Sequence, residues 1–196
     1  MPTNILSLPL ISIEITTGTN EDWRDSIMFA APSSPGEPVA LIGVITSGQA
    51  TVTGLSSTSG LVTGMGVAGV GIPAGATILA ITGATTLTLS ANATATNIVA
   101  ALTFNPVPLD LTGIEFRMTP RRDREDIEVA IEASTENERL INGGLGGQLG
   151  WLVPAVEMGR IRPATYAFDV VATADGATIK CVEGNLTVER GYTRPA

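Results

Sequence analysis

The stretch YAFDVVATADGATIKCVEGNLTV, residues 166–188, decides how this 196-residue chain is read. Tyr166, Phe168 and Val170 alternate with Ala167 and Asp169, the two-residue period of a strand with one buried and one solvated face. Asp175-Gly176 then supplies a two-residue hairpin turn, because both positions of that turn require positive φ. Ile179 to Cys181 forms the returning segment, and Leu186 and Val188 supply a last strand.

Upstream the same pattern recurs. Ile114, Phe116 and Met118 alternate with Glu115, Arg117 and Thr119, and Ile127, Val129 and Ile131 alternate with Glu128, Ala130 and Glu132. Near the start, Ile11, Ile13 and Ile15 alternate with Ser12, Glu14 and Thr16, and a second strand is expected between Asp22 and Ala30 with Trp23, Ile27 and Phe29 on one face. The only helical candidate is one turn around Pro154 to Met158. Short strands at near-regular spacing predict an all-β fold, an Ig-like antiparallel β-sandwich.

That pattern is interrupted. From Pro38 to Leu109 there is no Asp, Glu, Lys or Arg, although charged residues make up 15% of the chain. Short β-prone pieces at 49–53, 65–70, 77–81 and 85–89 are punctuated by glycine, with Val67, Val70, Ile72, Ile78, Ile81, Leu87 and Leu89 as the expected core. The reading is a discontinuous sandwich, residues 1–42 plus 106–196, holding an inserted neutral, Gly/Thr-rich β module at 43–105. A soluble monomer normally keeps charge on every exposed face, so the neutral module is expected to be covered by other subunits.

Composition excludes several functions. There is no histidine, which removes the commonest general base and metal ligand together, and no catalytic, cofactor-binding or metal-binding residues are assigned. Cys181 is the only cysteine and reads as a small buried hydrophobe. A net charge of −8 with Lys180 as the only lysine argues against nucleic-acid binding. Arg121, Arg122 and Arg124 are interleaved with Asp123, Glu125 and Asp126, which reads as a self-compensating turn. Glu125, Asp126, Glu128 and Glu132 lack the oxygen-dense loop of a calcium site. MPTNILSLPLISIEI has neither the basic start nor the long apolar run of a signal peptide, and no segment has the character of a membrane span, so a cytoplasmically made, soluble chain is expected.

Candidate contact residues lie in two loops. Asn142, Gly143, Gly144, Gly146 and Gly147 begin a glycine-rich run that lacks the Gly-Lys-Ser/Thr ending of a phosphate-binding loop and reads as a hairpin or contact loop. Trp151 directly after it serves equally well as a core residue or an interface anchor. In the neutral module, Ile72 and Pro73 with their neighbouring glycines are the contact candidates.

The order PLDLTGIEFRMTPR (108–121), STENERLI (134–141) and YAFDVVATADGATIKCVEGNLTVERGYTR (166–194) resembles the small β-sandwich domain at the N-terminus of phage upper baseplate proteins and its stand-alone relatives. The shared features are Asp110 to Gly113, a strand through Arg117, Tyr166 to Asp169, and Gly184 to Val188 followed by Thr193-Arg194. GMGVAGVGIPAGATILAITGATTLTLSANATAT (64–96) is separately similar to a β module of phage virion proteins. The resemblance implies a non-enzymatic virion protein of a tailed phage, present in multiple copies and attached at the tail tip or baseplate through sheet edges and loops. Its partners would be other virion proteins rather than nucleic acid or membrane. A capsid decoration or neck adaptor is the alternative, and a glycan-binding host-recognition module is a third reading weakened by the few aromatics.

Overall fold

Strands account for nearly all of the regular structure in the computed structural model, which describes residues 7–123, 125 and 129–191. The protein is all-β, and among the described residues the only α-helix, α1, is the four residues Ala155–Met158. The chain divides into two compact units, one made of the chain up to Phe29 together with the chain from Pro108 onward, the other running continuously from Ala30 to Val107. The boundaries expected at 42/43 and 105/106 therefore move outward. The reason is β3 (Val39–Ile45), which pairs antiparallel with β8 (Asn97–Asn105) from Val39↔Phe104 to Ile45↔Asn97. It belongs to the neutral module, not to the sandwich.

In the discontinuous unit, β1 (Ile11–Gly18), β14 (Ala177–Glu189), β13 (Ala164–Ala174), β9 (Glu115–Met118) and β10 (Ala133–Ser134) form a five-stranded sheet in that order. A three-stranded sheet is built from β11 (Leu140–Asn142), β12 (Gln148–Val153) and β2 (Trp23–Met28). Both sheets feed one core. Phe116, Met118, Val170 and Leu186 come from the first, and Trp23, Leu140, Leu149 and Trp151 from the second. The rings of Phe29 and Phe116 stack with centroids 6.2 Å apart, and Trp151 Nε1 donates to Met118 Sδ at 3.4 Å. This is a sandwich packed through its inward-facing alternate residues.

Asp175 (φ 49°) and Gly176 (φ 77°) make the hairpin turn between β13 and β14 that the sequence implies. One pairing departs from an antiparallel sandwich: β1 runs parallel to β14, with Ile11↔Val182 through Gly18↔Glu189. Gly184 sits opposite Ile13, where an added Cβ would run into the Ile13 carbonyl oxygen. Glycine is required there by the closeness of the two backbones.

The strand expected at 127–132 is corrected. Ile127 and Glu128 lie outside the described residues, as do Arg124 and Asp126, while Val129 to Glu132 form no strand. Ala130 N–H donates to the Pro120 carbonyl at 2.9 Å as part of a loop, and pairing with β9 begins only at Ala133. It ends after Ser134, because Ser134 and Asn137 close a turn on each other: Ser134 N–H donates to Asn137 Oδ1 at 2.9 Å and Asn137 N–H to Ser134 Oγ at 3.2 Å. Local side-chain hydrogen bonds win over ladder extension.

The continuous unit closes on itself. β3, β8 and β5 (Gly66–Ala68) form one sheet; β4 (Thr51–Val52), β7 (Thr86–Leu89) and β6 (Ile78–Gly83) form another. Two isolated antiparallel bridges, Val44↔Thr53 and Gly66↔Thr77, join their edges. Val44 N–H donates to Thr53 O at 2.8 Å and Thr53 N–H to Val44 O at 3.1 Å; on the other side Val67 N–H donates to Ala76 O at 2.8 Å and Ile78 N–H to Met65 O at 2.9 Å. The circuit β3-β8-β5-β6-β7-β4 returns to β3, so this is a small barrel.

Its interior is filled by Ile45, Val52, Met65, Val67, Ile78, Leu87, Leu89, Leu102 and Phe104. The longest strands of this unit, β3 and β8, escape the sequence reading because their apolar residues occupy both faces and show no alternation. Val70 and Ile81, expected in the core, are 84% and 39% exposed. Ile81 lies three residues beyond the inward-facing Ile78, with register irregularities of the β6–β7 pairing on either side of it, at Ile78/Ala80 and Ile81/Gly83. Val70 falls beyond the end of β5, in the turn that leads to Gly71.

Ala31 N–H donates to Val107 O at 2.9 Å, so the two ends of the barrel unit lie side by side. A closed barrel with adjacent ends and its own core should fold when residues 30–107 are produced alone. A cooperative thermal transition by circular dichroism is expected, and Phe104→Ala should lower its unfolding free energy by about 3–5 kcal/mol. A fragment that melts without a sigmoidal transition would show that the barrel depends on the rest of the chain.

Candidate interaction surfaces

The glycine-rich loop is held by its own unit. It links β11 to β12 through a single 3₁₀ turn at Gly144–Gly146. Asn142 Nδ2 donates to Leu111 O at 2.9 Å and to Ile114 O at 2.8 Å, and its Oδ1 accepts from Gly144 N–H at 2.8 Å. That leaves its side chain little to offer a partner. The carbonyl of Gly147 (φ 66°) accepts from Phe29 N–H at 2.8 Å, and a Cβ there would press on Phe29 O and on the Leu109 backbone. Gly143 is equally confined, with Gln148 O 3.0 Å from the position of a Cβ. Leu145 is the exposed side chain at the loop tip, at 75%.

Trp151 is corrected from interface anchor to core. It is 2% exposed and stacks on Trp23, with centroids 6.0 Å apart at 19°. Tyr166 is also buried, so neither described tryptophan nor this tyrosine offers the exposed platform that a sugar ring would stack on. Ile72 and Pro73 are half-buried, and Ile72 packs against the barrel core. The neighbouring Gly71 (φ 87°) would place a Cβ 3.0 Å from both Ala95 and Ile45, so it is a packing glycine.

The stronger apolar surface of the barrel lies elsewhere. On β3 and β8, Ile42 (61% exposed) pairs across the ladder with the exposed Ala101, and Val99 (67%) lies two residues further along the same face. Ile98 (74%) adjoins them at the strand end, and Leu79 and Ile81 point outward from β6. Glu37 is the only charged residue between Ala30 and Val107, so no charge interrupts these faces. The signal was readable in Asn97–Asn105, whose apolar residues fall on both faces of one strand.

The charged surface belongs to the other unit, and there the signs are sorted. An open groove of about 490 Å³ runs along β13 and β14, lined by Arg121 and Lys180 together with Asp123, Asp169 and Glu183. Lys180 Nζ and Glu183 Oε2 are 2.5 Å apart. This groove is internally compensated. Arg122 leaves the cluster and lies over the Tyr166 ring, 5.7 Å from its centroid.

Arg139 and Glu157 make a two-point pair that ties α1 to the turn before β11: Arg139 Nε donates to Glu157 Oε2 at 2.9 Å, and Nη2 donates to Oε1. The guanidinium holds the Glu157 carboxyl below its ordinary range. Both side chains are about a quarter to a third exposed, at 28% and 30%. A lowered carboxyl pKa contributes stability above the unfolded-state value and loses it as pH falls through the folded value. Glu157→Gln should therefore cost about 1 kcal/mol near neutral pH, and the difference from the parent should shrink as urea melts are repeated below the carboxylate range. A pH-independent difference would assign the loss to packing instead.

Cys181 is fully buried, its Sγ 3.4 Å from Val170 O, and burial pushes its thiol up to about 12. It should resist an aromatic disulfide reagent in the native protein and react with one equivalent once unfolded. Prompt labelling of the native protein would contradict this burial. Among the described residues no group of three acidic or cysteine side chains is placed to hold a metal ion, and no helix is long and apolar enough to cross a membrane. No protein-family model matches this chain, and no curated protein matches it in sequence.

Proposed function

We propose that this protein is a non-enzymatic structural component of a tailed-phage virion, placed at the tail tip or baseplate and present in multiple copies. The observation that carries the reading is the uncharged, partly apolar outer face of the barrel, with Ile42, Val99, Ile98, Leu79 and Ile81 exposed on a unit whose only charged residue is Glu37. Such a face is costly in water and finds its use against a neighbouring subunit. The resemblance of residues 108–121, 134–141 and 166–194 to the baseplate sandwich domain supplies the kind of assembly. In this reading the charged sandwich docks on the particle and the neutral barrel meets a neighbour. Repeated symmetric contacts stabilise both.

A map of the purified particle at side-chain resolution tests it. The expected result is this chain at the tail tip, in a few to a few dozen copies, with Ile42 and Val99 covered. Hundreds of copies on the head lattice would replace the baseplate reading with a capsid decoration. Absence from particles would sink the virion reading altogether.

A further inference from the structure

Three arginines converge on one pocket of the sandwich unit. The pocket holds about 200 Å³ and is lined by Arg122, Arg160 and Arg162 with Tyr166, Ile161 and Val129. Each cation is placed by the fold. After α1 the chain turns through Arg160 N–H to Glu157 O and Ile161 N–H to Met158 O, both 3.0 Å. Ile161 is buried as the anchor, leaving Arg160 and Arg162 exposed on either side of it. Tyr166 Oη donates to the Arg162 carbonyl at 2.5 Å, fixing that backbone. Arg122 arrives from the opposite direction, beside Arg121, whose backbone exchanges two hydrogen bonds with Ala167 at 2.9 and 2.8 Å.

The pocket gathers three guanidiniums, of which Arg122 rests on the Tyr166 ring. Among the described residues no carboxylate lines the pocket, and none of the three arginines makes an ion pair. Asp123, next to Arg122, lines the groove on β13 and β14 instead, and Glu157, which feels the charge of Arg160, has both oxygens engaged by Arg139. In a chain with 19 acidic and 11 basic residues, three of the arginines line a pocket to which no described residue contributes a carboxylate.

The lining also selects the kind of anion. Ile161, Val129 and the Tyr166 ring supply apolar wall beside the guanidiniums, which suits a carboxylate on a hydrocarbon stem better than a fully hydrated phosphate. A nucleic-acid backbone is disfavoured by the net charge of −8. We infer that this pocket is a binding site for the carboxylate side chains of an acidic segment of a partner protein. The inference goes beyond the virion reading and stands on the purified chain alone, so a failure of either leaves the other to be judged on its own experiment.

The test is fluorescence anisotropy with the full-length chain and two labelled peptides, one alternating Gly and Glu and the other alternating Gly and Gln. Binding of the Glu peptide at least about tenfold tighter than the Gln peptide is expected, with a loss of similar size in Arg160→Gln and in Arg122→Lys, where charge stays but two-point geometry goes. Arg190→Gln, an exposed arginine outside the pocket, should leave binding unchanged. Equal affinity for the two peptides overturns the proposal, as does an equal loss in Arg190→Gln. Displacement of the Glu peptide by equimolar inorganic phosphate would also overturn it, by showing a general anion site.

Discussion

Closure of the backbone ladder around residues 30–107 is the constraint on which the neutral module depends. A sheet edge exposes unpaired N–H and C=O groups that pair with other chains unless charge, proline or cover prevents it. This module has almost no charge to use for that purpose. The bridges Val44↔Thr53 and Gly66↔Thr77 remove both edges by joining them, so the barrel can carry an uncharged outer face without an open strand. Contacts with a neighbour must then be made by side chains, which gives the exposed Ile42 and Val99 their significance.

The sandwich solves a different problem, that of holding together segments far apart in sequence. β1 pairs with β14, close to the other end of the chain, and β2 pairs with β12 across the whole of the neutral module. Leu109 N–H donates to Phe29 O at 2.9 Å, so the chain leaves this unit and re-enters it at adjacent positions. The stacked pair Trp23 and Trp151 then packs the first segment against the last within one core. Burying two tryptophans in this way removes them from any surface role, and the exposed chemistry of the unit falls to its charged side chains.

Those charges are arranged rather than spread. Arg121 and Asp123 line the compensated groove on β13 and β14, while Arg122 between them joins Arg160 and Arg162 in the other pocket. Neighbours in a sequence-level cluster thus end on separate surfaces. The Arg121–Ala167 bridge pins the start of the run, and the chain bends at Arg122 and Asp123 immediately after it.

The sequence by itself determined the all-β class, the strands of the sandwich that alternate apolar and polar residues, the Asp175-Gly176 turn and the burial of Cys181, because each depends on local period or local backbone preference. It also marked out the neutral stretch. It did not reveal β3 and β8, whose two apolar faces carry no period, nor the parallel pairing of β1, which needs a partner some 170 positions away. The contact residues divide in the same way. A tryptophan after a glycine run reads alike whether it faces solvent or core, and only packing against Trp23 and Met118 placed Trp151 inside. The meeting of Arg122 with Arg160 and Arg162 was likewise decided by tertiary structure alone, since it takes the α1 turn and the Tyr166 strand to bring charges from separate segments to one pocket.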